Sequence, residues 1–157
     1  MYKKIEGQMN FEIESSYIYL AMASYLKHEG YDGMSHFMME QAKEEMEHAM
    51  KFYEFLNDVG EHVVFAAVPA PQVEYKNVLD VFKSAFEHEK EVTRRIHELY
   101  WAAEEKKNLP AMRLLDWYVH EQVEEEANFD DIVTKLERAH ENFGALYILD
   151  QALGRRE

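Results

Sequence analysis

One histidine and four glutamates have the spacing that metal chemistry requires. Glu45 and His48 stand three residues apart, so a helix presents the carboxylate and the imidazole on one face, one turn apart. Alone the pair is a weak signal, because Glu-x-x-His is common by chance. Glu12, Glu89 and Glu125 lie in three other segments with helical periodicity. Oxygen ligands with a single imidazole suit a hard or borderline cation such as Fe(II) or Mn(II), so we predict a metal site.

Each glutamate interrupts a hydrophobic seam, defined here as positions at alternating three- and four-residue steps on one helix face. A helix bundle buries such a face. Burying a lone carboxylate costs several kcal/mol of folding free energy. A buried carboxylate in each of four seams therefore predicts one shared source of positive charge, most simply a pair of cations. The four seams are Ile5, Met9, Glu12, Ser16, Tyr19, Ala23, Leu26; Met38, Gln41, Glu45, His48, Phe52, Phe55, Val59; Val78, Phe82, Ala85, Glu89, Val92, Ile96, Leu99, Ala103; and Ala111, Leu115, Tyr118, Gln122, Glu125, Phe129, Ile132, Leu136.

The polar groups of the four seams also lie at matching depth. If the first two helices turn near Tyr31 and the last two near Leu109, a rise of about 1.5 Å per residue brings all the groups within a turn or so of one level. The two halves of the chain then repeat one pattern, a helix with Glu followed by a helix with two inward polar groups. This is the arrangement of di-metal carboxylate bundles.

The elements that must position these groups are four long helices and one short one. We predict helices over about 3–29, 33–59, 78–108, 110–140 and 144–153. Asp32 and Asn77 are the predicted N-caps of the second and third helices. Pro110 falls in the first turn of the fourth, where its missing N–H costs nothing. Residues 61–77 hold two of the three prolines and predict a long crossover, which lets helices two and three run in the same direction.

The fold class predicted from these elements is all-α, a four-helix bundle with a long crossover between helices two and three and a short fifth C-terminal helix. At 157 residues, 47 % of them hydrophobic, the chain is expected to form a single domain over 1–157, with the bundle over 3–140. No apolar run approaches the roughly 18 residues of a membrane span.

Composition excludes several kinds of chemistry. The chain has no cysteine, which rules out disulfides, zinc–thiolate sites, iron–sulfur clusters and thiol nucleophiles and fits a reducing cytoplasm. The N-terminal residues have no apolar signal core, so we expect a cytoplasmic protein. The net charge of −14 repels nucleic acid and anionic membrane and attracts cations. For most exposed glutamates, however, solubility is sufficient explanation.

Several further residues admit two interpretations from the sequence. Gln122 is either a weak ligand or second-sphere donor, or a buried amide satisfied by its neighbours. Tyr19 either assists the site, by hydrogen-bonding a ligand or donating an electron, or is a core tyrosine. Trp117 is expected to pack beside the seam, and His88 and His120 are expected on the surface. A second acidic set is either a solvated helix edge or an accessory cation site; its members are Glu44, Glu121 and Glu124.

Four stretches resemble prokaryotic non-haem ferritins, and the similarity covers nearly the whole chain. They are Asn-Phe-Glu at 10–12, Gln-Ala-Lys-Glu-Glu-Met-Glu-His-Ala at 41–49, Glu-His-Glu at 87–89 and Trp-Tyr-Val-His-Glu-Gln-Val-Glu-Glu-Glu at 117–126. The resemblance implies a ferritin-like fold with three iron sites. The first matches Glu12, Glu45 and His48; the second matches Glu45, Glu89 and Glu125, with Gln122 nearby; the third matches Glu44, Glu121, Glu124 and Glu125.

The resemblance also implies a function. Tyr19 matches a tyrosine beside the di-iron centre of such ferritins. Their subunits form a homo-oligomeric hollow shell, expected here to be a 24-mer, in which Fe(II) is oxidised by O2 or peroxide and stored as ferric oxyhydroxide. Bacterioferritins and rubrerythrins usually carry a second Glu-x-x-His, whereas here Glu125 is followed three residues later by Asn128. Met46 occupies the place of the haem-ligating methionine of bacterioferritins, but we expect no haem.

Three other functions compete with iron storage by a ferroxidase. A di-iron redox enzyme without storage, such as a peroxidase or oxidase, is the main alternative. The lack of a second Glu-x-x-His at Glu125 and of any Cys-ligated electron-transfer module argues against it. A DNA-protecting mini-ferritin would be expected to have a basic tail, which this chain lacks. A metal-free structural bundle would not need carboxylates at one depth in four seams.

Overall fold

Five helices and no strand make up the computed structural model, which describes all 157 residues. The helices are α1 (Tyr2–His28), α2 (Asp32–Asp58), α3 (Val78–Glu105), α4 (Leu109–Ala139) and α5 (Phe143–Leu153). The predicted bundle, its crossover and the short fifth helix are therefore confirmed, and the predicted helix ends agree within one turn. None of the five helices meets the combined length and apolarity that a transmembrane helix needs.

The long helices form two antiparallel hairpins, and two serines tie the first one together. Ser16 donates its hydroxyl hydrogen to the carbonyl oxygen of Ala42 at 2.8 Å, and Ser35 donates to that of Ala23 at 2.8 Å. Residue numbers of the bonded pairs rise along α1 while they fall along α2, so the two helices are antiparallel. Helices α3 and α4 pair in the same way across the short turn at 106–108.

The core consists of two apolar clusters at opposite ends of the bundle. The first contains Met34 of α2 and Phe82 of α3, and the second contains Phe52 of α2 and Ile96 of α3. Because the N-terminal halves of α2 and α3 share one cluster and the C-terminal halves share the other, these two helices run in the same direction. This is the arrangement for which the long crossover was predicted.

The predicted seams are buried except at the end of α2. There Phe55 and Val59 are only partly buried, and Leu56 takes the core position at 1 % exposure. A strict seam repeats every 3.5 residues, whereas a straight α-helix has 3.6 residues per turn, so the buried face drifts along a long helix. The prediction for Phe55 and Val59 was therefore wrong for that physical reason.

Helix ends follow the expected residues in four cases. Gly30 and Gly60 follow α1 and α2 with φ of 88° and 84°, a left-handed conformation that glycine adopts without steric penalty. Asn77 caps α3 as predicted, since its side-chain oxygen accepts the backbone N–H of Asp80 at 2.9 Å. Pro110 lies in the first turn of α4.

The predicted cap of α2 was wrong. Asp32 is the first residue of the helix, and its carboxylate binds Lys27 at 2.8 Å instead of capping the backbone. The cap position is held by Tyr31, which offers no side-chain bond. The free backbone N–H of Met34 instead donates to a carboxylate oxygen of Asp150, at 2.8 Å. A residue of α5 thus replaces the local cap, which local sequence rules cannot anticipate.

Helix α5 contacts α2 so closely that only glycine fits at position 33. A Cβ atom added to Gly33 would lie 1.8 Å from the carbonyl oxygen of Asp150. We therefore expect Gly33→Ala to displace α5 and lower stability by about 1–3 kcal/mol, seen as a lower thermal midpoint. Gly7→Ala is the control, because a Cβ there meets no atom within 4 Å, and it should stabilise α1 by about 0.5–1 kcal/mol. An unchanged midpoint for Gly33→Ala would contradict this packing.

The crossover lies along α1 and is held by side chains of that helix. Asn10 accepts the backbone N–H of Ala66 at 2.8 Å and donates to the carbonyl oxygen of Val64 at 3.1 Å. Glu6 accepts the backbone N–H of Val64 at 2.7 Å. Irregular backbone needs such partners, so the crossover is fixed to the bundle without secondary structure of its own.

Candidate metal centre

A buried polar layer separates the two apolar clusters, and the five predicted ligand residues meet in it. They come from all four long helices and are at most 6 % exposed. Two groups could each hold a cation, because their ligand atoms lie within 4.8 Å of one another; they are Glu12, Glu45 and His48, and Glu45, Glu89 and Glu125. Glu45 belongs to both groups, so its carboxylate lies between the two positions.

Buried glutamines hold one oxygen of several of these carboxylates. Gln8 donates to Glu12 Oε1 at 2.8 Å, and Gln41 donates to Glu45 Oε1 at 3.0 Å and to Glu125 Oε2 at 2.9 Å. These amides fix how the carboxylate planes are turned. Second-sphere bonds of this kind are a regular part of metal sites, since they orient the ligands.

The remaining oxygens of two glutamates accept no hydrogen bond from the protein. Glu12 Oε2 and Glu45 Oε2 are buried without any hydrogen bond. A buried acceptor without a partner costs about 1–3 kcal/mol, and such groups are rare in folded proteins. Both glutamates belong to the first ligand group, and a cation held there would supply the missing partner. The donor set therefore fits a metal ion.

The electrostatics of the layer lead to the same conclusion. Burial, followed by the charge of neighbouring glutamates, raises the pKa values of Glu12 and Glu45 well above their usual range. Burial also raises the pKa of Glu89 to about 7 and that of Glu125 to about 8. Four carboxylates this close cannot all be ionised without compensation, so the centre holds either protons or cations.

Tyr19 and Gln122 both act on Glu89. The Tyr19 hydroxyl donates a short hydrogen bond to Glu89 Oε1, and the Gln122 amide nitrogen donates to Glu89 Oε2 at 3.1 Å. The same nitrogen lies 3.2 Å from the Thr93 hydroxyl. Burial and the Glu89 charge raise the pKa of Tyr19 well above its usual range, so its hydroxyl remains a donor. In this geometry Gln122 donates to the carboxylate of a candidate ligand, and its amide nitrogen is also satisfied by neighbours, so both interpretations from the sequence stay open.

His48 lies between the buried layer and a surface cleft of about 630 Å³. Its Nδ1 is 3.4 Å from Glu45 Oε2, and its Nε2 is 3.9 Å from Glu121 Oε1 in the cleft. The imidazole packs edge-on against Trp117 at 5.4 Å, and Tyr118 donates its hydroxyl hydrogen to the His48 carbonyl oxygen at 2.7 Å. Trp117 is thus a packing residue, as predicted, but one that contacts a candidate ligand directly.

Comparison with known proteins agrees with this geometry. Residues 2–139 match the family Ferritin, described as a ferritin-like domain. The chain belongs to the ferritin family. This ferritin is 40 % identical to the bacterial non-heme ferritin of Staphylococcus aureus strain MRSA252 over 152 residues, which cover 97 % of this chain and 92 % of the relative. It is 38 % identical to the bacterial non-heme ferritin of Staphylococcus haemolyticus strain JCSC1435, with the same coverage.

Solved structures give the same result. An open pore ferritin from the hyperthermophilic archaeon Archaeoglobus fulgidus superimposes with a TM-score of 0.99 at 43 % identity, covering 100 % of this chain and 97 % of that one. A closed form of the Archaeoglobus ferritin, engineered by site-directed mutagenesis, also has a TM-score of 0.99 and 43 % identity, covering 100 % and 96 %.

The accessory acidic set is only partly brought together in this ferritin, since Glu44 and Glu121 line one surface cleft. Glu121 joins His48 and Glu125 in a third group whose ligand atoms lie within 4.8 Å of one another. Glu44 is not part of it, because its carboxylate is paired with the guanidinium of Arg156. Glu124 is exposed and belongs to no such group.

The surface prediction was wrong for one histidine of this ferritin. His88 is half-buried, stacked on Phe11 at 5.3 Å between ring centroids, with its Nε2 2.7 Å from the Ser15 hydroxyl oxygen. Burial lowers its pKa to about 4. Positions flanking a seam are half-buried in a bundle because the apolar face of a helix is wider than the seam. His120 is exposed, as predicted.

Proposed function

We propose that this ferritin binds two Fe(II) ions in the buried layer, oxidises them with O2 or peroxide, and stores the product as ferric oxyhydroxide. The observation that supports this most strongly is the unpartnered pair of carboxylate oxygens, Glu12 Oε2 and Glu45 Oε2, within a four-carboxylate layer. We propose further that the whole chain acts as one unit of a closed homo-oligomeric shell of about 24 subunits. The proposed location is the cytoplasm, where a reducing environment supplies Fe(II).

Charge balance explains why the centre would hold two Fe(II) ions, and the type of ligand explains why it would favour their oxidation. Two Fe(II) ions bring four positive charges, which the four glutamates neutralise. Hard carboxylate ligands stabilise Fe(III) over Fe(II), so the protein would favour loss of one electron from each ion. With O2 as acceptor, the two electrons and two protons form hydrogen peroxide. Water supplies the oxide of the mineral and releases further protons.

Each ligand has a distinct proposed role. Glu45, shared by both groups, would bridge the ions; Glu12 and His48 would complete one site. Glu89 and Glu125 would complete the other site, and the Tyr19 hydroxyl would orient Glu89. Acidic residues of the surface cleft, such as Glu121, would attract cations toward the centre.

Iron retention tests storage directly. Fe(II) is added in air at large excess, the protein is passed through a sizing column, and iron is counted in the shell-sized peak. We expect tens of irons per chain or more, because mineral forms inside a closed shell. The control is the same addition without oxygen, which should leave only ions bound at protein sites. Retention near two irons per chain in air would instead indicate a di-iron redox enzyme that does not store iron.

A further inference from the structure

The C-terminal Arg156 is anchored on α2 beside the metal centre. Its Nη1 donates to the carbonyl oxygen of Phe37 at 3.2 Å and to Gln41 Oε1 at 2.8 Å, and its Nη2 binds the Glu44 carboxylate. The guanidinium lies 4.3 Å from the centroid of the Phe37 ring. The Arg156 side chain is only 18 % exposed, although it is the second residue from the end of the chain. The backbone carbonyl of the same residue lies 2.6 Å from His36 Nε2.

Gln41 connects this arginine to two candidate ligands. Its side chain is 1 % exposed, and its amide nitrogen donates to Glu45 Oε1 at 3.0 Å and Glu125 Oε2 at 2.9 Å. An amide has one accepting and one donating end, and a guanidinium can only donate. Arg156 can therefore bind only the oxygen end of Gln41, which leaves the nitrogen end for the two carboxylates. A reversed amide would put its oxygen against the carboxylates and its N–H groups against the guanidinium.

We propose that Arg156 is a positioning residue of the di-metal centre, which acts through Gln41 to orient the carboxylates of Glu45 and Glu125. The proposal rests on the metal-binding role proposed above. Glu45 belongs to both ligand groups and Glu125 to the second, so one amide governs ligands of both metal positions. Without the arginine, the Gln41 amide is free to turn and both carboxylates lose a fixed donor. Loss of such second-sphere partners typically costs about 10–100-fold in metal affinity.

A purely structural role for Arg156 makes a different prediction. The ion pair with Glu44 and the contact with Phe37 would simply hold the C-terminal residues on α2. Substitution would then lower the thermal midpoint and leave metal affinity unchanged. Metal affinity, measured apart from oxidation, therefore separates the two roles.

The test uses Co(II), which air does not oxidise readily and whose visible spectrum reports its ligand geometry. Binding to the assembled protein is measured by calorimetry and by the Co(II) spectrum. We expect Arg156→Gln to weaken Co(II) binding by about tenfold and to alter the spectrum. Arg155→Gln is the matched control, because the neighbouring Arg155 is exposed and its side chain makes no hydrogen bond or ion pair; it should bind Co(II) within twofold of wild type.

A double-mutant cycle tests the route through Gln41. If Arg156 acts through the amide, Arg156→Gln should have no further effect on Co(II) affinity in a Gln41→Met background. Independent, additive losses would overturn the proposal. So would wild-type affinity and spectrum in Arg156→Gln, even if its thermal midpoint falls.

A conservative variant guards against misfolding. Arg156→Lys keeps the charge beside Glu44 but has one donating nitrogen where arginine has a fork, so it cannot reproduce both bonds with the same geometry. We expect its Co(II) affinity to lie between those of Arg156→Gln and wild type, and equality with wild type would overturn the proposal. Failure of the wild-type protein itself to bind Co(II) would refute the proposed metal function, an outcome distinct from any difference among variants.

Discussion

Replacing Glu45 with alanine is expected to abolish fast Fe(II) oxidation, lowering the initial rate by about two orders of magnitude or more. Glu45 is the only residue common to both the Glu12–Glu45–His48 and the Glu45–Glu89–Glu125 groups. Its removal takes a ligand from each ion and the link that holds the two ions side by side. The measurement is the rise of Fe(III) absorbance after two Fe(II) per chain are mixed with aerated buffer.

The matched control for this variant is Glu87→Ala. Glu87 is on α3 near Glu89, but it is exposed and paired with Lys90 at 2.8 Å, so its loss should leave the initial rate within about twofold. Both variants should elute as assembled protein. If Glu45→Ala oxidised Fe(II) at the wild-type rate, the assignment of the buried layer as the reactive centre would be wrong.

The metal-free protein is expected to lose stability as pH rises from about 5 to 8. The pKa values of Glu89 and Glu125 are raised by burial from 4.5 to about 7 and about 8. In this range the folded state retains protons that the unfolded chain has lost, so raising the pH favours unfolding. The stabilisation is fully present below pH 4.5 and is lost through the folded pKa values. At about 1.4 kcal/mol per pKa unit, the two shifts together correspond to a loss on the order of 8 kcal/mol.

Cations should reverse this trend. A bound metal requires ionised carboxylates, so its apparent affinity rises with pH as it displaces protons. The measurement is the thermal midpoint at several pH values between 5 and 8, once with a chelator and once with Zn(II). The midpoint should fall with pH in the first series and should not fall in the second. A Glu125→Gln variant should show a shallower fall with chelator, because it lacks one of the two titrating groups.

A contrary result would be informative about the layer itself. His88, whose pKa is lowered by burial to about 4, opposes the expected fall up to about pH 6.5, because only the unfolded chain protonates it there. A metal-free midpoint that is flat or rises between pH 6.5 and 8 would therefore mean that the carboxylates are ionised in the folded apoprotein. An exposed ion pair with a strongly lowered carboxylate pKa does not contribute to the change in midpoint between pH 5 and 8. Glu91, for example, has its pKa lowered to about 2 by bonds to Arg94 and Arg95, so it titrates below the range in question.

The sequence predicted the buried polar layer because helical periodicity fixes which residues share a face. Four seams, otherwise mostly apolar, each contain one of the glutamates Glu12, Glu45, Glu89 and Glu125. This assignment does not change if a predicted helix end is wrong by a few residues. Antiparallel hairpins of similar length then bring the groups to one level. Local rules also predicted Asn77 as a cap, since the residue it bonds is only three positions away.

What the sequence did not predict depends on contacts between distant segments. The hydrogen bond from Arg156 to Gln41 joins residues of α2 and the C-terminus, and nothing in the periodicity of either fixes how α5 lies on α2. For the same reason, the sequence did not predict that Asp150 of α5, and not the nearby Asp32, accepts a backbone N–H at the α2 N-terminus. Gln8 was missed because it lies beside the seam, at a position where polar residues are usually solvated.

The two unpartnered oxygens of Glu12 and Glu45 also bear on the lifetime of the protein in a cell. A ligand that binds only the folded state stabilises it by about 4 kcal/mol at a concentration 1,000 times its dissociation constant. The empty chain therefore unfolds more often than the loaded chain, and proteases degrade unfolded chains first. We therefore expect that, at a constant rate of synthesis, the amount of this ferritin rises with iron supply because the loaded chain is degraded more slowly.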